Sequence, residues 1–150
     1  MRNVTLDRQI DAPQSAVWAV LADFPNISSW NSGVKSSAST SEATQGVGAT
    51  RHCDLAPMGG LEETVREWEP ESKLAISIDS ATKIPIKSGL ATFSLSAAGD
   101  KTDFNLSYDY EPKFAFLSFI MGPIMDKQMR KGFGGFLDDL EPAAQAQTSA

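Results

Sequence analysis

The chain has 150 residues, 41% of them hydrophobic, which suffices for the core of one domain, so no second domain is needed. A net charge of −6 and a pI near 4.7, with no run of basic residues, exclude a nucleic-acid-binding surface. A single cysteine, Cys53, and a single histidine, His52, exclude a disulfide framework and a clustered metal site, so no metal and no cofactor is expected.

The N-terminal MRNVTLDRQI has neither the apolar stretch of a signal peptide nor the character of a transit peptide, which makes the cytoplasm the expected compartment. Val4, Leu6 and Arg8 alternate with Thr5, Asp7 and Gln9, the period of a strand. Pro13 then suits the first turn of a helix whose Ala16, Val17, Val20 and Leu21 recur at helical spacing. FPNISSW follows as a second short helical turn. Trp18 and Phe24 are expected in the core, whereas Trp30 sits where a loop would roof a pocket.

Six extended segments come next, at residues 34–40, 47–55, 61–68, 74–80, 88–97 and 102–111. They are punctuated by Gln45-Gly46, Pro57-Met58-Gly59-Gly60, Glu69-Pro70-Glu71, Lys83 to Lys87 and Ala98-Gly99-Asp100. Connections this short join antiparallel neighbours. From Pro123 the spacing of Ile124, Met125, Met129, Phe133, Phe136, Leu137 and Leu140 predicts a long helix. Residues 1–140 form the expected domain, and 141–150, poor in large apolar residues, the expected disordered tail. The apolar run Phe114 to Met121 is far shorter than the about 20 residues that cross a bilayer, so no integral membrane segment is expected. Phe114, Phe116, Leu117 and Phe119 are expected to cap the end of the core, with a portal edge or a membrane-touching lip as alternatives.

The order is a strand, two short helices, a six-strand meander and a long helix. It predicts an α+β fold in which a curved seven-stranded antiparallel sheet wraps the C-terminal helix. The chain resembles the START-like, birch-pollen-allergen-like helix-grip superfamily, and within it the bacterial polyketide cyclase/dehydrase and lipid-transport group. The resemblance runs to about Leu140 and rests on I-D-A-P-x-x-x-V-W-x-x-L-A-D-F at Ile10 to Phe24, Trp30, G-V-G-A-T-R at Gly46 to Arg51, E-x-x-x-x-W-x-P at Glu63 to Pro70, and the helix ending F-L-D-D-L-E. It implies a helix-grip fold with an internal cavity, and proteins that carry, sequester, cyclise or sense apolar small molecules.

Pairing the strands through their turns sets Leu55 against Leu61, Cys53 against Glu63 and Arg51 against Val65. Further on it sets Glu63 against Ile78, Val65 against Ile76, Ile76 against Phe93, Ile78 against Ala91, Phe93 against Leu106, Ala91 against Tyr108 and Gly89 against Tyr110. One face is then apolar and should line the concave side, Ile78 and Phe93 among its members. Its polar members, Arg51, Cys53, Glu63, Tyr108 and Tyr110, are the candidates for touching a ligand. A lone charge there would cost several kcal/mol, so Arg51 and Glu63, diagonal neighbours in this register, are expected to pair. Cys53 reads as a small buried hydrophobe, and His52, on the opposite parity beside Asp54, belongs on the solvated face. Met121, Met125 and Met129 fall four residues apart, with Phe133 continuing the row and Met58 at a hairpin tip. Such a row suits an adaptable cavity or ordinary core. Gly132, Gly134 and Gly135 predict close approach of backbone to sheet, or a bend.

The leading expectation is a monomer or homodimer that binds a hydrophobic small molecule, a lipid, polyketide or isoprenoid, between sheet and helix. The resemblance also allows a cyclase acting on a poly-β-keto chain, with Glu63 as base and Arg51 or Tyr108 as donor to the developing enolate. A ligand-sensing interaction module is a third possibility.

Overall fold

The computed structural model describes residues 1–148, without the side chains of Ala115, Leu117 and Ser118. Strand β1 (Arg2–Ile10) leads into α1 (Gln14–Ala22) and a 3₁₀ turn at Phe24–Ser29. Six strands follow: β2 (Val34–Ser39), β3 (Thr50–Leu55), β4 (Gly60–Glu69), β5 (Lys73–Thr82), β6 (Ile86–Ala98) and β7 (Lys101–Pro112). Helix α2 (Ala115–Thr148) closes the chain. The strands make one antiparallel sheet in the order β1-β7-β6-β5-β4-β3-β2. Short turns hold β3 to β7 in sequence, the longer segment 40–49 joins β2 to β3, and the two helical segments carry the chain across to the far edge, which lets β1 pair with β7.

The predicted register is right in two ladders and displaced by two residues in two others. Glu63 pairs with Ile78 and Val65 with Ile76, and Phe93, Ala91 and Gly89 meet Leu106, Tyr108 and Tyr110 as expected. Across β3 and β4, however, Arg51 stands directly opposite Glu63 and Cys53 opposite Leu61. Ile76 meets Ala91, and Ile78 meets Gly89. The first displacement follows from the turn, which closes Asp54 onto Gly60 one pair earlier than a hairpin centred on Met58 would. A two-residue slip preserves the face on which each side chain lies, so the concave set survives it. Two irregularities in the β4–β5 ladder do change faces locally. The one between Val65 and Glu67 turns Glu67 outward to Lys73, 3.1 Å away, and Trp68 inward onto Trp18, ring centroids 5.1 Å apart. Strand β3 begins at Thr50 rather than 47, because Gly46 and Gly48 adopt φ of 84° and 93° and bend the chain ahead of it.

Helix α2 departs from expectation at both ends. It runs unbroken through Gly122-Pro123, and it continues to Thr148 where a disordered tail was expected. The tail residues 141–148 are rich in Ala and Gln, good helix formers. Ala144 is fully buried, while Glu141 and Gln145 bond the Asp11 backbone at 3.0 and 3.1 Å. Residues 149–150 lie outside the described residues. At the other end Phe114, Phe116 and Phe119 are exposed and do not cap the core. The side chain of Leu117, grouped with them, is outside the described set.

Leu137, Leu140 and Ala144 seal the C-terminal half of α2 against α1 and β1. Burial of each such large aliphatic side chain contributes about 1.5–3 kcal/mol. Further toward its N-terminus the helix stands off from the middle of the sheet, and the candidate site lies in that gap.

Candidate functional site

A cavity of about 730 Å³ lies between the concave face of β3–β7 and the middle of α2. That volume falls within the range of sites that enclose a small organic ligand. Ile76, Ile78, Ala91 and Phe93 form its sheet wall, Phe133 and Phe136 face them from the helix, and exposed Met58, Gln128 and Lys131 mark its mouth. Gly132 and Gly135 line it as well, and a Cβ built on either would meet no atom within 4 Å. The expected close approach of these glycines to the sheet, with Gly134, is therefore corrected: Gly132 and Gly135 leave room between the side chains that the helix turns into the cavity.

Four polar side chains cluster on the inner wall. Arg51 and Glu63 are both buried and pair through Nε and Oε1 at 3.0 Å. Arg51 Nη1 also donates to the Phe24 carbonyl at 2.8 Å, and its guanidinium lies 4.0 Å from the centroid of the Phe24 ring. Direct opposition on β3 and β4 brings this pair together, and the 3₁₀ turn supplies its third member, a contact no local pattern announces. The Cys53 thiol donates to Glu63 Oε1 at 3.3 Å. Burial, with the Glu63 charge, pushes that thiol up to about 12, so it stays protonated and is no nucleophile.

Tyr108 completes the cluster. Its ring lies over Gly89, where a Cβ would come within 2.6 Å of the hydroxyl oxygen, so only glycine on β6 admits this ring position. Burial first, then the Glu63 charge, holds the phenol far above the ordinary tyrosine range, which keeps it a proton donor. Among the described residues the Tyr108 hydroxyl, Glu63 Oε2 and Arg51 Nη2 have no hydrogen-bond partner. The wall thus offers two donors and one acceptor to whatever enters.

The remaining candidates, Met129 apart, fall elsewhere. Trp30 is not on the cavity wall, because it turns edge-on to Phe136, centroids 5.2 Å apart, and its buried Nε1 has no partner among the described residues. Tyr110 stacks on Tyr108, centroids 5.4 Å apart, but its hydroxyl is committed to Asp126 Oδ1 at 2.5 Å. Met129 lines the cavity, Met125 is core and Met121 faces outward. Four-residue steps drift about 40° around a helix, so the row does not stay on one wall. His52 lies on the convex face between Glu62 and Asp54, both within hydrogen-bonding reach. Sequence reasoning missed Gln128, Lys131 and Phe136 as cavity residues. Phe136 had a signal, since it shares the helical face of Met129 and Phe133. Among the described residues no three His, Cys, Asp or Glu side chains converge as metal ligands, and no helix is long and apolar enough to cross a membrane.

A curved seven-stranded antiparallel sheet that grips a long C-terminal helix over an apolar cavity defines a helix-grip protein. The chain belongs to the polyketide cyclase/dehydrase and lipid transport family, whose model matches residues 1–145. Among solved structures it resembles a START superfamily protein from Mycobacterium smegmatis, with 15% identity and a TM-score of 0.82 over 96% of this chain and 97% of that one. It also resembles the Zhui aromatase/cyclase from Streptomyces sp. R1128, with 13% identity and a TM-score of 0.82 over 98% and 95%. A third is TTHA0849 from Thermus thermophilus, with 17% identity and a TM-score of 0.81 over 97% and 98%. Likeness at these identities concerns the fold alone. No curated protein matches the sequence.

Proposed function

We propose that the protein binds an apolar small molecule, of lipid, polyketide or isoprenoid type, whose one polar end is a hydroxyl or enol. The observation that carries this reading is the 730 Å³ apolar cavity with the Arg51, Glu63 and Tyr108 cluster on its inner wall. Each CH₂ moved from water into such a cavity contributes about 0.8 kcal/mol, which supplies affinity without a charged anchor. Arg51 and Glu63 neutralise one another, so the inner end holds no net charge for an anionic head. Unpartnered donors on Tyr108 and Arg51 beside an unpartnered Glu63 oxygen suit an atom that both accepts and donates, as a hydroxyl or enol does.

The test is displacement of an environment-sensitive fluorophore by long-chain alcohols, phenols and the matching carboxylic acids. Alcohols and phenols are expected to compete better than the acids. Gly132→Leu, which projects a side chain into the cavity, is expected to weaken binding about tenfold or more while the fold is retained. Unchanged binding by this variant overturns the reading.

A second reading is catalysis of aldol closure on a poly-β-keto chain. The free Glu63 oxygen favours it: Glu63 would take the acidic α-proton while Tyr108 and Arg51 stabilise the enolate oxygen. Product analysis with such a chain decides it, because Glu63→Gln should remove cyclisation and leave uptake of the chain intact. An identical product profile for both proteins eliminates catalysis by this set.

A further inference from the structure

The first three turns of α2 are built unlike the rest of the molecule. Phe116, Ile120 and Ile124 are exposed, Ile120 by 75%, and the neighbouring Phe119 by 94%. At about 100° per residue, Phe116, Ile120, Ile124, Lys127 and Lys131 fall within about 80° of one another on the outer face of the helix. The apolar part of that stripe is about 12 Å long, and the lysines follow within about 10 Å of Ile124. A helix with this order carries apolar side chains where an acyl layer would be and ammonium groups where headgroups would be.

Charge is segregated in the same way. In a chain of net charge −6, residues 113–131 hold Lys113, Lys127, Arg130 and Lys131 against a single carboxylate, Asp126. Asp126 lies on the sheet side of the helix and is taken up by Arg2, at 2.7 Å, and by Tyr110. Among the described residues none of the four cations has a carboxylate within 4.0 Å. Lys113 bonds the carbonyls of Pro85 and Ala81, which ties the stripe to the β5–β6 hairpin beside the cavity-lining Ile84. Lys131 itself stands at the mouth.

We propose that this stripe docks the protein on an anionic lipid surface with the cavity mouth turned toward it. The aromatic and aliphatic side chains enter the interfacial region, and Lys113, Lys127, Arg130 and Lys131 lie among the anionic headgroups. A second copy of this chain fits the patch less well. In a two-fold contact through residues 113–131 the partner copy would offer these cations only Asp126, which Arg2 and Tyr110 already hold. Delivery of a ligand from that surface to the mouth rests on the binding function proposed above; the docking does not.

Co-sedimentation of the full chain with vesicles tests it, without any ligand, so its outcome is separable from that of the cavity assay. Binding to vesicles containing phosphatidylglycerol is expected to exceed binding to pure phosphatidylcholine by about tenfold or more, and to fall as salt rises. The pair Phe116→Ser with Phe119→Ser should abolish sedimentation while leaving the circular dichroism spectrum unchanged. The pair Lys127→Gln with Lys131→Gln should remove the preference for the anionic vesicles. Equal sedimentation with both lipids, or binding untouched by both variants, overturns the proposal. So does a solution dimer that the phenylalanine substitutions dissociate, because the patch would then be an interface between copies.

Discussion

Two clusters on the concave side of the sheet are made of the same parts, an arginine, a carboxylate and a tyrosine, and they do different things. At the outer one, Arg2 grips Asp126 through Nε and Nη2 at 3.0 and 2.7 Å, and Tyr110 donates to the same carboxylate. Burial and that carboxylate push the Tyr110 phenol up to about 12, while Arg2 holds Asp126 below the usual carboxylate range. The Asp126 carboxylate and the Tyr110 hydroxyl are engaged within the protein, and the result is a clasp between α2 and the β1–β7 edge. At the inner cluster Arg51 and Glu63 bond through one edge only, and Tyr108 donates to neither. Hydrogen-bonding capacity left over in a cavity is what the proposed binding site needs, and the same residues with that capacity used up make a structural joint.

Substitutions can separate the two. The largest effect is expected from Glu63→Leu, which leaves the Arg51 charge buried without its partner. Urea unfolding should show a loss of about 3–5 kcal/mol, much of it recovered when Arg51→Met is added. The matched tyrosines come next. Tyr110→Phe should cost about 1 kcal/mol of stability and leave ligand affinity alone, whereas Tyr108→Phe should leave stability unchanged and weaken an alcohol ligand about tenfold. Equal responses from the two variants in melting and displacement assays would erase the distinction. Asp126→Asn should lower the melting temperature by less than Glu63→Leu does, with cavity binding intact.

The smallest effect concerns neither cluster and serves as the control. Hydrogen bonds donated by the imidazolium to Glu62 and then to Asp54 raise His52 above the ordinary histidine value of about 6.5. The folded state therefore favours its protonated form. That contribution is present in full below the unfolded value and is lost as pH rises through the folded one. A proton NMR titration of the imidazole should give a midpoint above that of a histidine in an unfolded chain. His52→Gln should flatten stability against pH in that window while binding stays constant.

Much of this was legible in the residues. Alternation in the strands assigned faces that survived register errors of two, because side-chain direction repeats with the same period. Arg51, Cys53, Glu63, Ile78, Phe93 and Tyr108 were thereby placed on the cavity wall in advance. Trp30 was misplaced because a loop has no period from which to read direction. Tyr110 shares parity with Tyr108, yet its partner Asp126 sits 16 residues on and in another element. The helix boundaries failed at Gly122-Pro123, where the helix was expected to start, and at residue 141, where the large apolar residues run out. Tertiary support overrides such local signals, as the buried Ala144 and the Arg2–Asp126 clasp do here.

Periodicity and turn chemistry are properties of neighbouring residues, so the sequence by itself determined the order of elements, the antiparallel meander, the apolar concave face and the set of polar side chains on it. Which of those side chains remain free to meet a ligand is a property of contacts between distant segments. Only the tertiary structure decided that Glu63 keeps an oxygen, that Gly89 makes room for Tyr108, and that Gly132 and Gly135 leave the cavity open.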